Sequence, residues 1–217
     1  MPPDLTIALC LRDDESRLAD MAAAAVEVAE CLIREHAVGE WAERTREEAL
    51  IDTEAEPGRD LGLSFELLAL DESSRDNTLS VLSILHARHR QLRTLQGLER
   101  GTAVMRAARS AQGRVWLLVD GPFEHEHGLW AARQVFCGDR AAIVPGEVLA
   151  VTRNLGQAAL GWLGGGLVSA QREVTQMLES HGQRPAWSPP RDQALRSRAR
   201  LFVRGRLSRF GLGHYDR

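Results

Sequence analysis

Short apolar runs that end abruptly in turn-forming residues recur along the chain, and the segments between them carry helical spacing. Residues 5–11 form the first such run and predict a buried strand; 14–36 follow with an alanine-rich pattern of Leu, Val and Ile that predicts a helix. The next run, 65–70, stops at Asp71-Glu72-Ser73-Ser74-Arg75-Asp76-Asn77-Thr78, a stretch dense in cap and turn formers. Beyond it the pattern predicts a helix over 78–89, a short strand over 92–95, a helix over 102–111 and a strand over 115–119. That strand stops at Asp120-Gly121-Pro122, which places a carboxylate at the carboxyl end of a buried strand. Further elements are a helix over 129–136, strands near 148–151 and 167–170, and a helix over 172–180. Alternating strands and helices imply an α/β fold, a mostly parallel sheet with helices on both faces.

At 217 residues the chain is long enough to bury a sizeable core as one domain. The polar, acidic stretch 37–61 reads as an insertion within that domain, which extends to residue 183, and 184–217 is a separate arginine-rich segment. Every basic Lys/Arg position is arginine, and nine of them (184, 191, 196, 198, 200, 204, 206, 209 and 217) fall in this tail against Asp192 and Asp216. Such a tail suits phosphates, an anionic membrane face or an acidic partner, and equally a solvated helix face. A formal net charge of −3 argues against general nucleic-acid binding. No apolar run reaches the roughly 20 residues that span a bilayer, and the first apolar run lacks a basic leader. Cys10, Cys31 and Cys137 are odd in number and far apart, which builds neither a disulfide framework nor a metal knuckle. The expectation is a cytoplasmic protein, with peripheral membrane contact through the tail as a further expectation.

Three strand ends carry the candidate chemistry: Leu11-Arg12-Asp13-Asp14-Glu15, the run from Asp71 to Thr78, and Asp120-Gly121-Pro122-Phe123-Glu124-His125. In order and spacing they resemble the family 2 glycosyltransferases of the GT-A (Rossmann-like) fold, in particular the polyprenyl-phosphate sugar synthases. Residues 97–113 are similar to that family's Asn-x-Gly-x-x-x-Ala helix, and the resemblance covers about residues 5–153 and extends more faintly to about 200. It implies an inverting transfer of sugar from a nucleoside-diphosphate sugar to an acceptor the sequence does not identify. By the same resemblance Asp13, Glu15, Asp71 and Glu72 would surround the donor base, whose imide and amino groups need acceptors, and Arg153 would contact the donor phosphate. Asp120 occupies the first position of the family's Asp-x-Asp, which holds Mg²⁺ or Mn²⁺ against the diphosphate. Pro122 replaces the second Asp and offers no ligand, so Glu124 and His125 would complete the site. His125 and His127 alternate and would face one side. The glycines of Leu163-Gly164-Gly165-Gly166 resemble a strand beside the acceptor pocket, where substrate approaches backbone closely. Asp192, in Pro190-Arg191-Asp192-Gln193, stands where the family carries its catalytic base.

Taken without the resemblance, the Asp71–Thr78 run and Asp192 serve equally as helix caps, the His-rich stretch as a solvated loop, and the glycines as a turn. A second function class therefore stands beside the first: a degenerate relative that binds a nucleotide or a partner protein, favoured by Pro122, Arg191 and Ala194. A nucleotidyltransferase or a dinucleotide oxidoreductase would need a glycine-rich first turn, whereas residues 12–16 are acidic and glycine-free.

Overall fold

The computed structural model describes residues 2–38 and 62–188. Seven strands, β1 (Leu5–Leu11), β2 (Phe65–Asp71), β3 (Leu92–Leu95), β4 (Val115–Val119), β5 (Ala141–Val144), β6 (Val148–Thr152) and β7 (Ala186–Trp187), form one sheet in the order β3-β2-β1-β4-β6-β5-β7. The first four are mutually parallel, while β6 runs antiparallel to both β4 and β5. Six helices complete the described chain: α1 (Leu18–Val38), α2 (Thr78–Arg88), α3 (Ala103–Ser110), α4 (His125–Phe136), α5 (Arg153–Leu160) and α6 (Leu167–Ser180).

The alternation of side chains along each strand divides the core in two. Leu5, Ile7, Leu9 and Leu11 of β1 pack with α1, α2 and α4. Ala8 and Cys10 of the same strand pack with Trp116, Leu118 and the apolar stripes of α3, α5 and α6. Both faces are thus covered, as parallel strands that read as continuous apolar runs require.

Two of the predicted elements change. Residues 167–170 are the first turn of α6 and not a strand: the buried positions Leu167, Ala170, Gln171, Val174 and Leu178 follow a helical stripe, which a four-residue window cannot reveal. Helix α4 begins at His125, four residues earlier than the apolar spacing marks. Strands β5 and β7 and helix α5 are additional. Gly156 lies in the middle of α5, and a Cβ there would stand 2.5 Å from the Trp116 ring, so this helix takes a residue of poor helix propensity to lie close on the sheet. The predicted insertion lies outside the described residues from position 39 onward.

At the amino edge of the sheet one buried acid ties four segments together. Glu66 of β2 accepts from Thr6 Oγ1 of β1 at 2.7 Å and from the Gln112 N–H before β4 at 2.7 Å, and pairs with Arg93 of β3 at 2.6 Å. Thr6 Oγ1 in turn accepts from the Gly113 N–H at 2.8 Å. Replacing Glu66 with Leu strands these donors, and should cost about 3 kcal/mol in a urea unfolding titration. Arg93→Met should cost less, because Thr6 and the Gln112 N–H still donate to the carboxylate and the guanidinium comes from a side chain that is 43% exposed, so water can take its place.

Candidate functional site

Strand order reverses at β1: the chain steps outward through β2 and β3, then returns to place β4 on the other side. A crevice opens outside the carboxyl ends of strands at such a switch point, and ligands of open α/β sheets bind there. Asp13 follows β1, Glu72 follows β2 and Asp120 follows β4, so three acids border this edge.

The loops after β1 and β2 are laced together. The Asp13 N–H donates to Ser74 Oγ at 3.0 Å while Asp13 Oδ1 accepts from the Arg75 N–H at 2.7 Å. The Asp14 N–H reaches Thr78 Oγ1 at 2.9 Å, the Glu15 N–H reaches Asp76 Oδ2 at 2.9 Å, and Asn77 Nδ2 returns to Glu15 Oε1 at 3.0 Å. Asp13 and Ser73 adopt positive φ, 52° and 54°. Aspartate tolerates that region because its short side chain bonds locally. Asp71 is buried, 1% exposed, and its carboxylate accepts from the Ser74 N–H at 3.3 Å. It holds the turn from beneath. Glu15 is exposed and engaged with Asn77.

Glu72 and Asp120 each meet the start of a helix. Glu72 Oε1 accepts from the Ala103 N–H of α3 at 2.8 Å, and Asp120 Oδ2 accepts from the Leu167 N–H of α6 at 3.2 Å. Both contacts satisfy N–H groups that a helix start leaves without a partner. The glycines of the predicted acceptor strand make the second contact achievable. A Cβ on Gly166 would stand 2.9 Å from Asp120 Oδ2, and Gly165, at φ 120°, donates its N–H to Gly101 O at 2.7 Å. The group that closely approaches this backbone is the protein's own carboxylate.

Cys10 lies beneath these two acids. Burial pushes its thiol well above the usual range, and the charges of Asp120 and Glu72 push it further. Cys10 packs on the face covered by α3 and α6, the two helices whose starts Glu72 and Asp120 meet.

The three predicted metal ligands do not converge. His125 Nδ1 lies 3.5 Å from Glu27 Oε2 of α1, and Glu124 Oε2 lies 4.0 Å from His127 Nε2. His127 Nδ1 is 2.6 Å from Glu147 Oε2 in the turn between β5 and β6. The two histidines therefore take different partners, as a two-residue separation on a helix rather than a strand dictates. Among the described residues no group of three His, Cys, Asp or Glu side chains could hold a metal ion. Asp120 is left as one carboxylate that already accepts from a backbone N–H, beside an exposed Pro122. The residues present do not fit the predicted Mg²⁺ or Mn²⁺ site.

Arg153 is also elsewhere. Thr152 pairs with Val115 at the beginning of β4, and Arg153 donates its N–H to Arg114 O at 2.8 Å and Nη1 to Gln112 O at 3.2 Å. It sits at the amino edge beside Arg114, about 20 Å of strand away from Asp120. Asp192 and the arginine-rich tail lie outside the described residues.

Two features of this edge carry no signal in composition or spacing. Gln171 of α6 donates Nε2 to both Val144 O and Val148 O at 2.9 Å and accepts from the Gly146 N–H at 3.0 Å, which clamps the β5–β6 turn. Arg12, directly after β1, has Nε and Nη1 sealed from solvent without a hydrogen-bond partner. Buried donors left unmade cost about 1–3 kcal/mol each.

No protein-family model and no curated protein matches the chain. Among solved structures, it is similar to glucosyl-3-phosphoglycerate synthase from Mycobacterium tuberculosis in complex with uridine diphosphate, at 14% identity and TM-score 0.54, over 97% of this chain and 81% of that one. The same synthase with Mn²⁺, uridine diphosphate and phosphoglyceric acid gives 15% identity and TM-score 0.52, over 99% and 80%. Against S. aureus TarS the chain spans 16% of that protein's length, with 15% identity over 54% of this chain and TM-score 0.33. At these identities the likeness defines the fold alone, which is GT-A.

Two predictions test the lacing and the buried thiol. Burial alone would raise the Asp76 carboxyl, but the Thr78 hydroxyl and the N–H groups of Glu15, Thr78 and Asp76 itself outweigh it and hold the group below the usual range. A folded-state pKa below the unfolded one contributes stability above the unfolded value and loses it as pH falls through the folded value. Asp76→Asn should therefore lower the melting temperature at pH 7, and the gap to the wild type should close as pH falls below about 4. In alkylation at pH 8, Cys137, which is exposed, should label rapidly, and buried Cys10 only upon unfolding.

Proposed function

We propose that this chain is an inverting glycosyltransferase that takes a nucleoside-diphosphate sugar in the crevice at the strand-order reversal. The observation that carries this reading is the placement of Asp13, Glu72 and Asp120 at three adjacent strand ends of a GT-A sheet, on the edge where such sheets bind ligands. In this reading Asp13 and Glu72 accept from the donor's base and ribose, and Asp71 holds their loop in place from the core. Asp120 accepts from the sugar hydroxyls while ordering the Gly165–Leu167 backbone beside them. Transfer with inversion needs a single base on the acceptor side to take the proton of the attacking hydroxyl. The family resemblance gives that role to Asp192. The acceptor is the least defined partner, and the arginine-rich tail favours an anionic one.

The dispersal of Glu124 and His125 from Asp120 favours a second reading, in which the same crevice binds a nucleotide without transferring sugar. Binding without turnover would distinguish it.

Thermal unfolding with a panel of nucleoside diphosphates and UDP-, GDP- and dTDP-sugars tests the proposal. Uridine nucleotides head the panel because the M. tuberculosis synthase of this fold holds UDP. A ligand at a hundredfold over its dissociation constant should raise the melting temperature by roughly 5–10 °C. Asp120→Ala should abolish the gain from the sugar nucleotide and leave the protein folded. If no nucleotide stabilises the wild type, the donor-site reading is wrong. With a donor in hand, the anomeric configuration of the product, followed by NMR, should be inverted.

A further inference from the structure

The edge described above is rich in acids, yet a nucleoside diphosphate brings further negative charge to it. Something positive must face the phosphates, and the predicted metal ligands are dispersed. Among the described residues, Arg12 is the one with buried side-chain donors that find no hydrogen-bond partner. It directly follows the last paired residue of β1, Leu11, which is opposite Asp71. Continuing the alternation of Ala8 and Cys10 carries position 12 to the face covered by α3 and α6, whose first N–H groups Glu72 and Asp120 accept. Its side chain is 27% exposed, but Nε and Nη1 are buried and donate to no acceptor. The Asp13 carboxylate is 3.8 Å from Nε, beyond hydrogen-bond reach.

The neighbouring acids make their hydrogen bonds to other donors, and none of these bonds goes to Nε or Nη1 of Arg12. Asp13 takes the Arg75 N–H, Asp14 takes Arg17 and the backbone N–H of Arg12 itself, Glu72 takes Ala103, and Asp120 takes Leu167. Arginine stays charged in any protein environment, so its unmade donors are not relieved by losing a proton. What these two donors lack is an acceptor within reach, and a diphosphate is made of acceptors.

Resting on the donor-site reading above, we propose that Arg12 is a diphosphate-binding residue: without ligand its guanidinium lies parked beneath the carboxyl edge, and it turns out to the phosphate oxygens when a nucleoside diphosphate binds. Its fixed positive charge then takes the part that a carboxylate-held cation would play, balancing charge on the departing nucleoside diphosphate. Partial exposure of the side chain gives it room to turn.

The test is titration calorimetry with pyrophosphate, UDP, GDP, uridine and guanosine in the presence of EDTA, on wild type, Arg12→Met and Arg12→Lys, with melting temperatures of all three. The wild type should bind pyrophosphate and one nucleoside diphosphate without metal. Arg12→Met should bind both at least tenfold more weakly, keep its affinity for the nucleoside, and melt at or above the wild-type temperature because the parked donors are gone. Arg12→Lys should fall between them. Wild-type diphosphate affinity in Arg12→Met, or a strict need for Mn²⁺ in the wild type, overturns the proposal and leaves the donor site standing. A melting temperature several degrees lower in both variants assigns Arg12 to the fold and overturns it as well. A wild type that binds no nucleotide, with or without Mn²⁺, overturns the donor-site reading and this proposal together.

Discussion

Strand β1 is held between β2 and β4, parallel to both, and the organisation of the carboxyl edge follows from that position. Parallel strands require crossovers, and each crossover here leaves its strand through a loop whose N–H groups have no ladder to join. Those groups need acceptors, and the chain supplies them as carboxylates on the neighbouring loops: Asp13 to Arg75, Asp76 to Glu15, Glu72 to Ala103 and Asp120 to Leu167. The acids that border the carboxyl edge are thus the acids that hold its loops together. A substitution at any of them reports on fold and site at once, and only a comparison of stability with affinity separates the two contributions.

The residues that end the buried runs were the most legible part of the sequence. Asp71, Glu72 and Asp120 stand at strand ends because a charged side chain terminates an apolar run, and strand ends of a sheet with this order share an edge. What a spacing pattern does not hold is the partner of each side chain. Glu124 and His125 lie close to Asp120 in sequence, but the helix that starts at His125 carries it toward α1. Arg153 follows a strand that proved antiparallel, which sends it to the opposite edge. The direction of β6 depends on a two-strand turn that begins in β5, a four-residue run too short to separate from a helix fragment. Residues 167–170 misread as a strand for the same reason, since their helical stripe becomes visible only across 14 residues.

Helix α6 connects features that are distant in sequence. Its first N–H meets Asp120, and one turn later Gln171 grips both strands of the β5–β6 turn, which presents Glu147 to His127. A ligand that competes for the Asp120 carboxylate would act on the start of a rigid element whose next turn is fixed to the far half of the sheet.

The buried Glu66 at the opposite edge has a bearing on how the chain reaches this arrangement. Its partners come from β1, β3 and the segment before β4, 27 to 60 residues away along the chain. A carboxylate enclosed with only some of them would be an under-solvated charge, so partial assemblies of these strands are penalised relative to the complete one. The acid thereby acts as a proofreading element for assembly: it makes the parallel half of the sheet an all-or-none unit, and it does so irrespective of how many residues separate α1 from β2.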